Sequence, residues 1–151
     1  AMVDLDYFKK INDTYGHDIG DQVLKMVASQ LVKISGAKAF RYGGEEFTLI
    51  FRRKSAEEAL PHLERLRRLV QDYRMVLRTS ERPQGRTPRS EKAKRTRGAY
   101  RRSGNRSLRI TISIGVAARK ADGEDPSDII KAADEALYRA KMTGRNRICT
   151  A

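Results

Sequence analysis

The sequence predicts an α+β fold, an antiparallel-rich sheet covered by helices. Three observations carry this. Apolar residues recur at helical spacing in three long segments, strand-like runs lie between them, and two of those runs meet at a glycine pair as a β-hairpin does. A chain of 151 residues suits one domain, 1–151, with a sizeable core.

Taken in order, Ala1-Met2-Val3 reads as the end of a buried strand, and Asp4 and Asp6 then point to one side of an extended chain with Leu5 to the other. Tyr7–Asp13 starts a short helix or turn. Thr14–Asp21, with two glycines and several capping-type residues, reads as a loop. A helix follows over about Gln22–Ile34, with Val23, Leu24, Val27, Leu31 and Val32 as its buried face, and Ser35-Gly36 ends it. The hairpin runs through Ala39-Phe40, the turn at Gly43-Gly44, and Phe47–Phe51. Ser55-Ala56-Glu57-Glu58 matches a capping box and opens a helix with Leu60, Leu63, Leu66, Leu69 and Val70 inward. Pro61 either kinks that helix or marks a later start.

Tyr73–Leu77 is strand-like. The stretch from about 79 to 107 is poor in large apolar residues and reads as a flexible insertion between strands. Leu108–Ala117 alternates as a single strand. Asp122–Asp125 forms a turn, and Asp125 caps a helix with Pro126 at its first position, which runs to about Lys141 with Ile129, Ile130, Ala133, Ala136, Leu137 and Ala140 inward. Gly144 terminates it, and Arg145–Cys149 is a short final strand.

Composition narrows the function classes. Neither a membrane-spanning run nor a secretory leader is visible, and the expected location is cytoplasmic, with a membrane tether of a longer protein left open. The lone Cys149 cannot form an internal disulfide, and His17 and His62 lack the cysteine company of a zinc site. The net charge is +13, but Arg78–Arg109 holds twelve Lys and Arg against two Glu, so most of the basicity belongs to one segment.

The chemistry points to the acids. Glu45 and Glu46 sit where a strand begins, a position that disfavours adjacent like charges, and Asp4 ends another strand. If those strands are neighbours, three carboxylates converge at one sheet edge. Such oxygen ligands suit Mg²⁺, and two ions ~3.5–4 Å apart are the usual device for in-line displacement at phosphorus. Lys9, Lys141 and Arg145, with the backbone N–H groups of Tyr7, Phe8 and Lys9, would hold phosphates. A solvated hairpin tip accounts for the glutamates equally well, and Asp4 and Asp6 serve equally as strand-end caps.

The ordered series Asp4-Leu5-Asp6-Tyr7-Phe8-Lys9, Asn12-Asp13, Gly16-His17-Asp18-Ile19-Gly20-Asp21, Arg41-Tyr42-Gly43-Gly44-Glu45-Glu46-Phe47, Ser113-Ile114-Gly115-Val116, Ala133–Lys141 and Gly144-Arg145-Asn146 closely resembles the GGDEF family of bacterial diguanylate cyclases, in its GGEEF variant. The resemblance covers nearly everything outside the basic segment. It implies a palm-like fold, of the nucleotidyl cyclase and ferredoxin-like kind, and the reaction 2 GTP → cyclic di-GMP + 2 pyrophosphate in a homodimer of domains. By position it implies that Asp4, the Leu5 carbonyl and Glu45 bind two Mg²⁺, with Mn²⁺ as a substitute. Glu45 would also favour deprotonation of the ribose 3′-hydroxyl, with Glu46 assisting. Asn12 and Asp21 would read guanine, and Lys9, Lys141 and Arg145 would hold phosphates, with Lys9 stabilising transition-state charge. Gly43 and Gly44 would admit the nucleotide.

Asp21 as a helix cap is the plain alternative, and Asp6 and Asp13 read as fold-stabilising. The family's usual opening helix and full first strand are not in this sequence, so a catalytic domain lacking its amino-terminal part is expected. Where many members carry an inhibitory Arg-x-x-Asp motif, Ile34-Ser35-Gly36-Ala37 stand, so no inhibitory site is expected. Two other functions compete: a GTP-binding regulatory module without turnover, and a module binding an anionic surface, membrane or a partner, through residues 78–109. Nucleic acid ranks last, because Tyr100 is the segment's only aromatic for stacking.

Overall fold

The computed structural model describes residues 1–77, 106–120 and 124–151. Their contacts group into two compact units, Ala1–Tyr73 with Arg109–Ala151, and Arg74–Leu108.

The larger unit holds a five-stranded sheet. Its strands are β1 (Met2–Leu5), β2 (Ala37–Gly43), β3 (Glu46–Phe51), β6 (Ile112–Val116) and β7 (Ile148–Thr150), in the order β2-β3-β1-β6-β7. All neighbours are antiparallel except β6 and β7, which are parallel. Four helices complete it: α1 (Phe8–Tyr15), α2 (His17–Leu31), α3 (Ala56–Asp72) and α4 (Pro126–Met142). The α+β class and the hairpin at Gly43-Gly44 are as expected from the sequence.

Every residue of β1 and β6 is buried, as befits central strands covered on both faces. Helix α4 packs on both strands. Gly115 on β6 makes that approach close, because a Cβ there would collide with the Ala133 carbonyl oxygen and the Leu137 amide nitrogen of α4. Met2, Ala133 and Leu137 form a buried cluster at this contact, with Ala117 against it.

Several boundaries differ from the sequence reading. The stretch Thr14–Asp21 is not a loop: only Gly16, at φ 84°, interrupts the helical backbone, and α2 begins at His17. Capping-type residues mark a helix–helix junction there, with Asp18 in the favourable first turn. The capping box of α3 forms, Ser55 and Glu58 each accepting from the other's backbone N–H, and the helix runs on through Pro61 without the later start. Asp125 accepts from the Ser127 N–H at 2.8 Å and Pro126 opens α4, as expected. Leu108–Ala117 is not one strand: its apparent alternation spans two ladders, and β6 is buried along its whole length. Arg145 and Asn146 have φ of 61° and 46°, which excludes them from a strand, so the last strand starts at Ile148. Val32, Leu69 and Ile130, expected inward, are exposed.

The smaller unit contains β4 (Met75–Leu77) and β5 (Arg106–Leu108), paired antiparallel with Leu77 opposite Arg106. Arg106 and Ser107 are therefore ladder residues, although the sequence reading put them in the insertion. The rest of that insertion, with its proposed membrane contact, lies outside the described residues, as do Asp122 and Gly123 of the turn expected at Asp122–Asp125.

Candidate active site

Strand pairing assembles the acids. Asp4 on β1 stands opposite Glu46 on β3 and Ser113 on β6, and the next residue, Leu5, donates its N–H to the Glu45 carbonyl at 3.4 Å. The meeting place is the end of the central strand, not a sheet edge. Arg41 braces the hairpin from within, its Nε and Nη2 donating to the Gly44 carbonyl at 3.1 and 2.6 Å across a register shift between Arg41 and Gly43. The sequence reading did not single out Arg41 for this; an arginine opening the signature was the available signal.

Asp4 is 3% exposed, and Lys141 Nζ from α4 lies 2.8 Å from its Oδ2. Burial raises the Asp4 carboxyl above its ordinary range, the Lys141 ammonium pulls it back, and the charges of Glu46 and Asp6 add to the rise. Burial likewise raises Glu45, and next the Asp4 charge, with Lys141 opposing and Glu46 contributing. Asp4, Glu45 and Glu46 thus share one field, as the spacing suggested. That Lys141 neutralises Asp4 directly was not legible, because 137 positions separate the two in sequence.

Asp6 has a different place. Its Oδ1 accepts from Ser113 Oγ at 2.6 Å, and its Oδ2 from Thr111 Oγ1 at 2.7 Å and from the Asn146 N–H at 3.0 Å. This buried carboxylate is satisfied by the fold itself, in line with the structural reading.

The start of α1 gathers positive groups. Tyr7 precedes the helix with φ 58°, and no side chain caps its free N–H groups. Lys9 lies exposed in the first turn, and the Arg145 guanidinium stacks 4.6 Å from the Tyr7 ring centroid.

Asn12 on α1 faces α2. Its Oδ1 is buried without a partner among the described residues, and it lies where a Cβ on Gly20 would be. Asp21, the next residue, is exposed inside α2, whose N-cap is Gly16, so the helix-cap alternative fails. Gly20 itself was missed; a glycine inside a helix costs ~1 kcal/mol relative to alanine and thereby hints at a packing reason. Gly43 and Gly44 are different again. Neither has a positive φ, and among the described residues a Cβ would meet only Glu46 Oε2 at 3.8 Å from Gly43 and nothing from Gly44.

Among the described residues, no three His, Cys, Asp or Glu side chains close into a ready-made cation cage. Mg²⁺ asks for less: one or two carboxylates, completed by substrate phosphate and water. Asp4 and Glu45 with the Leu5 carbonyl fit that open kind of site. Among the described residues, no helix is long and apolar enough to cross a membrane.

Comparison with known proteins agrees with this geometry. The family model described as diguanylate cyclase, GGDEF domain, matches residues 1–88 and 76–147. Response regulator PleD of Caulobacter vibrioides is 37% identical over 151 residues, which span 97% of this chain and 28% of PleD. Among solved structures, the coiled coil and GGDEF domain of DgcB from Caulobacter crescentus, in complex with c-di-GMP, aligns with a TM-score of 0.77 at 35% identity, over 99% of this chain and 67% of that one. The active GGEEF domain of a diguanylate cyclase from Vibrio cholerae aligns with a TM-score of 0.75 at 28% identity, over 99% and 79%. The fold is therefore the palm-like α+β arrangement of those domains, and the chain belongs to the GGDEF domain family of diguanylate cyclases.

Proposed function

We propose that this domain condenses two molecules of GTP into cyclic di-GMP and two pyrophosphates. The observation that carries the reading is the strand register that sets the Gly43–Glu46 turn beside Asp4. Each ribose 3′-hydroxyl attacks the α-phosphorus of the other GTP, and pyrophosphate leaves from the opposite side. One domain binds one GTP, so two domains face each other as a homodimer. Holding the two nucleotides in line supplies up to ~7–11 kcal/mol of the barrier.

Asp4, Glu45 and the Leu5 carbonyl would hold Mg²⁺, or Mn²⁺ in its place. When bound, such ions acidify the attacking hydroxyl and offset charge on the phosphate. Glu45, raised above its ordinary range by burial and by Asp4, is the stronger base for it and is suited to accept the 3′-hydroxyl proton. Glu46, opposite Asp4, strengthens the negative field that retains cations there. Lys9, Arg145 and the N–H groups of Tyr7, Phe8 and Lys9 bind the triphosphate, with Lys9 stabilising the charge that develops on transfer. Lys141 neutralises Asp4 in the free domain and turns to the phosphates when nucleotide arrives.

Asn12 and Asp21 read the guanine edge. The unpartnered Asn12 oxygen supports this, since a buried acceptor left without a donor is costly and a guanine N–H would supply one. Gly43 and Gly44 are crowded by nothing among the described residues, which supports a ligand as the reason for their bareness.

The test is chromatographic detection of cyclic di-GMP from GTP and Mg²⁺, with Glu45→Gln alongside. Product from the wild type and none from the variant is expected. Equal product from both would refute the assignment of Glu45, and guanine nucleotide binding without product would select the regulatory module instead.

A further inference from the structure

The turn after α4 is held in a conformation that side chains rarely adopt. Arg145 and Asn146 both have positive φ, and Gly144 before them has φ 119°. Only dense anchoring keeps two successive L residues there. The anchors converge on Asn146. Its N–H donates to Asp6 Oδ2 at 3.0 Å, its Oδ1 accepts from Arg67 Nη1 at 2.8 Å, and its Nδ2 donates to Gln71 Oε1 at 3.1 Å. Its carbonyl also accepts from Arg67 Nη1, at 3.3 Å.

Arg67 is itself fixed. Its Nε and Nη2 pair with both oxygens of Glu64 at 2.8 and 2.7 Å, and its Nη1 donates to Gln71 Oε1 at 2.7 Å. Its side chain is 14% exposed, so the guanidinium is a shielded fork rather than a surface charge. Asp6, at the other end of the clamp, lies in sequence between Leu5 and Tyr7. Arg145, the residue before Asn146, is bonded outside the clamp: its N–H donates to the Ala140 carbonyl at 2.9 Å and its carbonyl accepts from Arg147 Nε at 3.1 Å. Its guanidinium lies over Tyr7 at the start of α1, with Nη1 3.5 Å from the Tyr7 hydroxyl.

We propose that Arg67 and Asn146 are positioning residues for nucleotide binding. Arg67, on α3, locks the Asn146 amide and so aims Arg145 at the triphosphate. Neither touches the reacting atoms. The proposal rests on the phosphate-binding role of Arg145 given above. Loosening the turn lets the long Arg145 side chain disperse, which weakens GTP binding and leaves the chemical step unchanged once GTP is bound.

Two variants test this. Arg67→Met removes the fork, and Asn146→Gly keeps the N–H bond to Asp6 while relieving the positive-φ strain, so its fold is retained. Affinity is measured by calorimetry with a GTP analogue carrying a methylene between the α and β phosphorus, and kcat and KM from cyclic di-GMP production. Each variant is expected to weaken binding and raise KM by ~tenfold. Saturated kcat should stay within about twofold, and the double variant should bind no worse than either single one. In the NMR spectrum the Tyr7 ring resonances should move toward solvent-exposed values in both variants. Asn146→Gly that melts lower yet binds normally, a fall in kcat at unchanged affinity, or additive losses in the double variant would each overturn the proposal. Failure of the wild type to bind the analogue would defeat the phosphate-site reading instead, and unmoved Tyr7 resonances would then defeat the clamp separately.

Discussion

Gly20→Ala separates recognition from folding. The new Cβ would occupy the space of Asn12 Oδ1, 3.0 Å from Asn12 Cγ and 3.3 Å from Phe8 Cζ. The neighbour that must yield is the end of a flexible side chain, so the amide swings out and the backbone stays. Replacing glycine by alanine within α2 gains ~1 kcal/mol of helix propensity. Expelling an amide oxygen that is buried without a partner removes part of a cost of about 1–3 kcal/mol. The variant should therefore fold at least as stably as the wild type, and a gain of 1 kcal/mol raises Tm by ~2–4 °C in a chain of this size. Guanine recognition should move the other way. Losing one or two neutral hydrogen bonds at ~1 kcal/mol each weakens GTP binding by roughly five- to thirtyfold. The preference for GTP over ATP should shrink in proportion, because the lost contacts are to the base. The assays are thermal melting and calorimetric titration with both nucleotides. An undiminished GTP preference in a well-folded Gly20→Ala protein would refute the role given to Asn12.

Gly115→Ala should do the opposite, because its Cβ meets the α4 backbone at Ala133 and Leu137, which cannot swing aside. A loss of about 3 kcal/mol is expected as a lower denaturation midpoint at unchanged slope. Glu64 is held down to about 2, first by its bond to Arg67, against an ordinary 4.5. Its contribution is therefore present above pH 4.5 and lost as pH falls toward about 2. The carboxylate is 36% exposed, so screening limits this to ~0.5–1 kcal/mol. The stability gap between wild type and Glu64→Gln should narrow across that window, and a gap undiminished at pH 2.5 would contradict the assignment. Finally, Leu77 and Arg106 are ladder partners, so an Asn-Gly turn can replace residues 78–105 directly. The shortened protein should keep its melting temperature and GTP binding and lose salt-dependent binding to anionic vesicles; vesicle binding that survives would exclude the basic segment as its source.

What the sequence made legible, and what it hid, follows from the range of the interactions. The hairpin, the capping box at Ser55 and the Asp125-Pro126 helix start depend on residues a few positions apart, and all three formed where local chemistry put them. The convergence of Asp4 with Glu45 and Glu46 required one long-range condition, that β1 and β3 be neighbours. The resemblance supplied that condition and the register met it. The loop expected at Thr14–Asp21 failed for a local reason: glycine and capping residues signal a break, but not whether one residue or eight are spent on it, and here Gly16 alone suffices.

The partners of the site's charges were beyond reach. Lys141 could be placed at a helix end, but its contact with Asp4 depends on how α4 crosses β1 and β6. Arg67 carries no local signal in the sequence, yet it reaches Asn146, 79 positions away. A charge run along a helix is usually solvated, and only tertiary packing distinguishes the member that is not. Here the distinction has a consequence for control. The strained turn carrying Arg145 is bonded from α3, so on the phosphate role proposed for Arg145 a displacement of α3 relative to Asp6 would alter triphosphate binding without touching Asp4, Glu45 or Glu46. On that proposal GTP affinity would be adjustable from outside the carboxylates, because Arg145 sits on a turn that is bonded from α3.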